Sequence, residues 1–294
     1  MKAPQFSAGR PKLDRRRPPG GKTRTENRTR GLTLAQSPYN LGHGQSGGDS
    51  RQPRNPGRDF KEIQMNQSIN TIDDVIALPS AAERNRVLRN TYWLLALSMV
   101  PTVLGAWLGV ATGITASLGG IMGLVVFMVG ALGFMFAIEK TKNSAAGVPV
   151  LLAFTFFMGL MLSRLLAMVL GFKNGSDLIM TAFGGTAGVF VLMASLSTVI
   201  KRDLSGMGKW LMVGALVLMV GAIINVFVGS STGMIVISMM AVGIFSAFIL
   251  YDLKRIIDGG ETNYITATLG IYLSLFNVFQ SLLSLLGIFG GDRD

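Results

Sequence analysis

The stretch FILYDLKRIIDGGETNYITATLGIYLSLFNVFQSLL, residues 248–283, places a charged, glycine-broken segment between two strongly apolar ones. Asp252 directly follows the first apolar run, whereas Asn277 and Gln280 fall inside the second. Polar groups at membrane depth are costly and usually face the interior of a helix bundle. The stretch therefore predicts two membrane helices joined by a short polar connector.

The same pattern continues outward and fills nearly all of residues 90–290. A hydrocarbon core about 30 Å thick needs roughly 20 apolar residues in helical form. Seven segments meet this requirement or nearly meet it: 91–111, 117–138, 146–171, 178–200, 209–229, 232–251 and 264–289. The sequence therefore predicts an all-α integral membrane protein, with a seven-transmembrane-helix bundle over residues 90–294. The seventh segment is polar enough that a re-entrant helix is the alternative.

The net charge of +11 is concentrated at the N-terminus. Residues 1–64 hold 14 Lys and Arg against 5 Asp and Glu, in an Arg-, Pro- and Gly-rich sequence. Such a composition predicts a disordered basic tail. Contact with nucleic acid or anionic lipid is one interpretation. We favour the other, an extension upstream of a start at Met65, and so predict no nucleic-acid partner. Residues 65–89 would form a loosely ordered cytoplasmic segment.

The basic residues of the remaining chain predict its orientation in the membrane. If all seven segments cross, ten Lys and Arg lie on one side of the bilayer and only Lys173 and Arg293 on the other. Cytoplasmic loops carry the excess of Lys and Arg. We therefore expect a cytoplasmic N-terminus and a periplasmic C-terminus. The ten residues are Arg84, Arg86, Arg89, Lys140, Lys142, Lys201, Arg202, Lys209, Lys254 and Arg255.

The chain lacks the residue sets that most catalytic and metal sites need. It has no cysteine, and its one histidine, His43, lies in the polar tail. Pairs of a nucleophile with histidine and multi-histidine metal sites are therefore excluded from the apolar body. Nucleotide-binding loops and HExxH motifs are missing from the sequence. We predict a protein that is not an enzyme, with no catalytic residue, no metal and no cofactor.

Several polar residues at membrane depth are candidates for a function. Arg164, within the third segment, either extends its side chain toward the headgroups or faces the bundle. Asn225 is expected to hydrogen-bond between helices. Asp252 either pairs with Lys254, Arg255 or Lys209 or lines a cavity. Together with Asn277 and Gln280, these residues form the set of candidate polar groups.

Glycines recur along the predicted spans at spacings that allow close helix packing. Small residues let two helix backbones approach within a membrane. We predict tight packing within one bundle, and a dimer contact is the alternative. The glycines are Gly105 and Gly109, Gly130 and Gly133, Gly184, Gly185 and Gly188, and Gly214 and Gly221.

Four short stretches resemble the Bax inhibitor-1 family. They are RVLRNTYW at 86–93, GGETNYI at 259–265, ATLGIYLSLFN at 267–277 and SLLSLLG at 281–287, and the resemblance extends over about residues 84–294. Within the family, the chain is most similar to the bacterial YccA type, which modulates the membrane protease FtsH and is its substrate. The resemblance implies a bacterial inner-membrane protein with FtsH and the lipid bilayer as partners. It also implies a seven-helix bundle with a central last helix, which accounts for the polar residues of 264–289.

Other members of this family are proton-sensitive calcium leak channels, and the resemblance implies a test for that activity. Their sensor is a pair of aspartates, one at the end of helix six and one within helix seven. Asp252 matches the first position, but the second falls on Ser274. A serine cannot share a proton with Asp252 as a second carboxylate can. Protease modulation is therefore the first prediction, and a pH-sensitive Ca²⁺ or proton leak channel is the alternative. The oligomeric state is not predicted.

Overall fold

A computed structural model describes residues 79–115 and 120–291 of the chain. All of them belong to the unit Ile63–Asp294. The predicted disordered tail at 1–64, residues 65–78 of the predicted cytoplasmic segment, and Arg293 lie outside the described residues.

Seven long helices make up the described part of the chain, and each is long and apolar enough to cross a membrane. The predicted all-α, seven-helix membrane fold is therefore confirmed. The helices are α1 (Ala81–Thr112), α2 (Gly120–Thr141), α3 (Gly147–Leu170), α4 (Gly175–Val199), α5 (Met207–Val228), α6 (Ser231–Ile257) and α7 (Tyr264–Gly290).

Helix α7 is continuous and crosses the whole bundle. Its 27 residues correspond to about 40 Å of helix. At its start, Asn263 Nδ2 donates to the Lys142 carbonyl in the α2–α3 connector, at 3.1 Å. At its end, the Gly290 carbonyl accepts from Asn174 Nδ2 in the α3–α4 connector, at 2.6 Å. Since these two connectors lie at opposite ends of α3, the structure favours a full crossing over a re-entrant segment.

Two helices extend beyond the predicted apolar segments. Helix α1 begins at Ala81 because Ser80 and Glu83 cap its first turn reciprocally. The Ser80 hydroxyl accepts from the Glu83 amide at 3.2 Å, and the Glu83 carboxylate accepts from the Ser80 amide at 2.8 Å. Residues 81–89 are thus helical, and the expectation of loose order is wrong for them. Helix α6 likewise continues through its charged last turns to Ile257.

Helix α7 forms the centre of the bundle, as the family resemblance implied. It packs against α1, α3, α4 and α6. Half of its membrane-spanning window is buried, the largest share among the seven helices. The corresponding share is 6% for α2 and 11% for α5, which pack mainly on α3 and α6 respectively. Helices α2 and α5 are therefore peripheral and expose most of their surface.

Tyr272 connects the central helix to α1 and α3. It is 1% exposed and is the largest fully buried side chain of the described residues. Its hydroxyl shares a hydrogen bond of 2.9 Å with the Thr102 hydroxyl of α1 and donates to the Thr155 carbonyl of α3 at 3.4 Å. The ring packs on Phe154 and Phe276, with centroid distances of 6.2 and 6.1 Å. The polar end of Tyr272 is thus satisfied inside the apolar core.

Glycines allow α1 and α3 to come into backbone contact. A β-carbon on Gly159 of α3 would overlap the Thr102 carbonyl of α1, and one on Gly105 would overlap the Phe156 carbonyl. Gly109 lies against the side chain of Ser163. By contrast, nothing lies within 4 Å of a β-carbon on Gly133 or on three other helical glycines, Gly184, Gly188 and Gly243. The predicted close packing within the bundle therefore holds for some of the glycines and fails for others.

The outer surface of the helices is strongly apolar. Trp93 is 73% exposed and Trp210 is 78% exposed, among many exposed Leu, Val, Met and Phe side chains. An apolar surface of this extent fits a lipid environment, and tryptophan is typical of the membrane–water interface. The chain is a multi-pass membrane protein with the lipid bilayer as its solvent.

Candidate functional site

The connector between α6 and α7, residues 258–263, is fastened to the start of α1. Gly259 has φ +85°, and a β-carbon on it would lie 3.1 Å from Arg84 and 3.3 Å from Pro79. A residue with a side chain would be strained in this conformation. The Arg84 guanidinium donates to the Ile257 carbonyl at 3.1 Å, which satisfies a carbonyl of the last turn of α6. The connector is therefore held where three chain segments meet.

Glu261 stabilises the connector from within. Its carboxylate forms an ion pair with Arg255 at 3.1 Å, and its side chain is only 11% exposed. The Glu261 carboxylate also accepts a hydrogen bond from the backbone amide of Asn263, at 2.9 Å. A partly buried carboxylate needs such partners, because burial of an unpaired charge is costly. Glu261 therefore links the end of α6 to the start of α7.

Asn263 joins three segments through one side chain. Its Oδ1 accepts from the backbone amides of Ile265 and Thr266, at 2.9 and 3.1 Å, and so caps α7. Its Nδ2 donates to the Lys142 carbonyl at 3.1 Å and to Asn143 Oδ1 at 2.8 Å. Gly259, Glu261 and Asn263 were not among the predicted site residues. The signal was present in the GGETNYI stretch, which carried the family resemblance.

Asp252 lies on α6 and faces the central helix. Its Oδ2 would be 2.9 Å from a β-carbon on Gly270, so the glycine leaves the room that the carboxylate occupies. Ser274, one turn further along α7, is buried and donates to the Gly270 carbonyl at 3.0 Å. Asp252 and Ser274 therefore each lie next to Gly270, the first from α6 and the second from within α7.

The cationic side chains of Lys254 and Arg255, which lie near Asp252, form ion pairs with other carboxylates. Lys254 is buried and forms an ion pair with Asp258 one turn ahead of it. Arg255 pairs with Glu261. Arg255 and Glu261 also interact electrostatically with Asp252, with opposite signs. Asp252 therefore packs against Gly270, whereas Lys254 and Arg255 form their ion pairs with Asp258 and Glu261.

The two asparagines among the candidate residues lie apart from Asp252. Asn225 is half-buried at the turn from α5 to α6, where its Oδ1 packs on Gly233. Asn277 Nδ2 donates to the carbonyl of Leu273 on its own helix, at 2.8 Å. This bond satisfies the amide locally. Neither residue belongs to the α6–α7 connector site.

Arg164 and Gln280 line one cavity at the other end of the bundle. The cavity has a volume of about 270 Å³ and lies between α2, α3, α5 and α7. Gln280 is exposed toward it although α7 is central. Helix α7 therefore has one face that is not covered by its neighbours.

Acidic side chains do not gather into a metal site in the part of the chain that the structure describes. No group of three or more His, Cys, Asp or Glu residues within 79–115 and 120–291 is arranged to hold a metal ion. The polar residues of the connector instead bind one another and the backbone. The fold and site define a seven-helix membrane bundle built around its last helix, with a polar clasp of Arg84, Arg255, Gly259, Glu261 and Asn263 at one end.

The comparisons with known proteins agree with this class. The model of the family described as inhibitor of apoptosis-promoting Bax1 matches residues 84–291. This chain belongs to that family, the Bax inhibitor-1 family. The chain is 38% identical over 213 residues to the Escherichia coli K12 protein named modulator of FtsH protease YccA, covering 72% of this chain and 94% of the relative. It is 37% identical over 217 residues to an uncharacterized membrane protein of Vibrio cholerae, covering 74% and 95% respectively.

Proposed function

We propose that this protein is an inner-membrane protein that binds an FtsH-type membrane protease, modulates it and is also its substrate. The observation that carries the proposal is the likeness to the Escherichia coli modulator of FtsH protease, which extends over 94% of that relative. A second Escherichia coli relative, from strain O6:H1, is named an inner membrane protein and matches equally well. The proposed role is one of interaction and not of catalysis.

The packing of the bundle supports slow extraction by a pulling protease. Backbone groups of a membrane helix find their partners only within the helix, so unfolding inside the bilayer is costly. Helix α1, the first that would be pulled, contacts the α3 backbone through Gly105 and Gly159. It is also bonded to the central helix through Thr102 and Tyr272. A substrate that resists extraction would keep the protease occupied, and this is the proposed basis of modulation.

The orientation of the chain follows from the distribution of basic residues. Hydrogen bonds join the start of α1 to the end of α6 through Arg84. Asn263 joins the start of α7 to the α2–α3 connector. The basic residues of these segments therefore lie at one end of the bundle, which we assign to the cytoplasm. The N-terminus then lies on the cytoplasmic side and the C-terminus on the periplasmic side.

Two truncations test whether the N-terminus is the handle for the protease. Deleting residues 1–64 should leave the degradation rate nearly unchanged, since the polar residues 65–80 remain ahead of α1. Deleting residues 1–78 should slow degradation several-fold, because a pulling protease needs a free polar end. The second truncation retains the Ser80–Glu83 cap and Arg84, so the bundle stays intact. Pulse-chase labelling measures the rate, and co-purification with FtsH should persist in both variants.

Each other outcome of this experiment has a definite meaning. If the 1–64 deletion alone stabilises the protein, the basic tail is the handle. If the rate stays the same after both deletions, the protease does not begin at the N-terminus, and the proposed cytoplasmic placement of that end loses its support. If the full-length protein fails to co-purify with FtsH, the proposal of protease modulation is refuted.

A pH-sensitive leak of Ca²⁺ or protons is the second candidate function, and the position of Asp252 favours it. Asp252 packs on Gly270 within one turn of Ser274, the position where the resemblance places the second aspartate of the family sensor. Without that second carboxylate, the two positions cannot share a proton. We therefore rank this function below protease modulation.

Ion flux into liposomes separates the two candidates. We expect little acid-sensitive Ca²⁺ flux through the unmodified protein and a clear gain for Ser274→Asp, because the new carboxylate would couple to Asp252. Ser281→Asp is the matched control, since it adds a carboxylate to the same helix about two turns away. An acid-sensitive flux through the unmodified protein that Asp252→Asn abolishes would make the channel the first candidate.

A further inference from the structure

The cavity at Arg164 and Gln280 combines one cationic end with apolar walls. Its apolar lining includes Leu124 and Phe127 of α2 and Val226 of α5. Among the described residues of the lining, Arg164 is the ionisable one. A site with a cationic side chain beside apolar surface matches an amphiphile that has an anionic head and a hydrocarbon body.

The cavity lies where the bundle is open to lipid. Its walls α2 and α5 are the two least buried helices, and they make almost no contact with each other. An acyl chain can therefore enter between them from the bilayer. The cavity volume of about 270 Å³ is just below the roughly 300–1,000 Å³ of sites that enclose a whole small molecule. It fits part of a lipid, with the remainder in the surrounding membrane.

The depth of Arg164 suits a phosphate near the edge of the hydrocarbon. It lies six residues before the end of α3 at Leu170, which is about 9 Å along the helix. A guanidinium presents a planar set of donors that matches phosphate oxygens. The Gln280 amide, on the facing helix, adds a further donor to the same cavity.

We propose that this cavity binds an anionic glycerophospholipid, with its phosphate held by Arg164 and Gln280 and its acyl chains lying between α2 and α5. The lipid would fill the gap between the two peripheral helices and so hold them to the bundle. The proposal is independent of the proposed contact with the protease, because it concerns the lateral surface at the opposite end from the connector clasp.

Lipid titration followed by native mass spectrometry tests the proposal on the full chain in neutral detergent. Dioleoylphosphatidylglycerol should bind the unmodified protein more tightly than dioleoylphosphatidylcholine and should raise its unfolding temperature. Arg164→Gln should weaken phosphatidylglycerol binding by about ten-fold or more, the effect of losing a charged hydrogen-bond partner. Lys173→Gln is the matched control, because it removes a cation at the same end of the bundle but outside the cavity, and it should leave binding unchanged.

A second variant keeps the charge and removes the space. Val226→Trp should fill the cavity from α5 and weaken phosphatidylglycerol binding while Arg164 is retained. Equal losses for Arg164→Gln and Lys173→Gln would overturn the proposal, since they would show general attraction of anions. Equal binding of the two lipids, displacement by inorganic phosphate in excess, or a co-purified protein helix in place of lipid would overturn it as well.

Discussion

Replacing Gly159 by leucine is expected to prevent accumulation of the folded protein. Gly159 lies at the point where α3 touches α1, and a β-carbon there would be 2.8 Å from the Thr102 carbonyl carbon and closer still to its oxygen. The obstacle is backbone and cannot rotate away. Overpacking a core costs about 1–3 kcal/mol when side chains can adjust, and we expect a larger loss here because two helices must separate.

The same separation would break contacts elsewhere in the bundle. Thr102 bonds to Tyr272, so a shift of α1 also breaks the 2.9 Å hydrogen bond of the buried tyrosine hydroxyl. A hydrogen bond of this kind contributes about 0.5–1.5 kcal/mol. Against a total stability of roughly 5–15 kcal/mol for a typical protein, the combined loss is large. Membrane-fraction immunoblotting and thermal unfolding in detergent would measure it.

Gly133→Leu is the matched control for this substitution. Gly133 is an exposed glycine in the middle of α2, and nothing lies within 4 Å of a β-carbon at that position. Leucine there would meet lipid, and the helix would gain about 1 kcal/mol from the loss of a glycine. We expect the Gly133 variant to be at least as stable as the unmodified protein. Equal unfolding temperatures for Gly159→Leu and the unmodified protein would contradict the close α1–α3 approach.

Replacing Asn263 by alanine is expected to lower the free energy of unfolding by about 2–4 kcal/mol. The change removes the cap of α7, which contributes about 0.5–2 kcal/mol, and two donated hydrogen bonds of about 0.5–1.5 kcal/mol each. It also frees the start of the central helix, on which α1, α3, α4 and α6 pack. Thermal unfolding in detergent measures the loss.

Two further variants separate the roles of Asn263. Asn263→Ser keeps a side-chain oxygen that can cap the helix but loses both donated bonds, so its loss should be intermediate. Asn143→Ala removes only the 2.8 Å bond between the two side chains and should cost least. If all three variants unfold at the temperature of the unmodified protein, the connector does not hold the start of α7.

Much of the fold could be predicted from local composition. Runs of about 20 apolar residues identified all seven helices, because a membrane-spanning helix must satisfy its backbone internally and cover itself with apolar side chains. Helix ends were less accurate. Hydropathy falls at Tyr251, but α6 continues to Ile257, since charged side chains near a helix end can reach water. The Ser80–Glu83 cap was a sequence signal for the start of α1 that hydropathy alone does not detect.

The candidate site was predicted only in part. The resemblance indicated that Asp252 and position 274 belong together, and this pairing stays a prediction. In the structure Asp252 packs on Gly270, and Ser274 donates to the Gly270 carbonyl one turn further along α7. The clasp at Glu261 and Asn263 was not predicted because its partners come from two other parts of the chain: Arg255 from α6, and Lys142 and Asn143 from the α2–α3 connector. A pattern along one segment carries no information about which segment lies opposite.

The sequence by itself determined that the chain forms membrane helices, how many there are, and where the basic residues lie between them. These properties depend on the free energy of transferring each segment from water to lipid, which is a sum of contributions from the residues of that segment. Only the tertiary structure decided that Gly159 lies against the α1 backbone while Gly133 has no neighbour within 4 Å of a β-carbon, and that Gln280 faces a cavity while Ser274 is buried. The two glycines are the same residue type, and Gln280 and Ser274 lie on the same helix. The members of each pair differ only in which neighbouring helix contacts them, and that depends on the packing of the whole bundle.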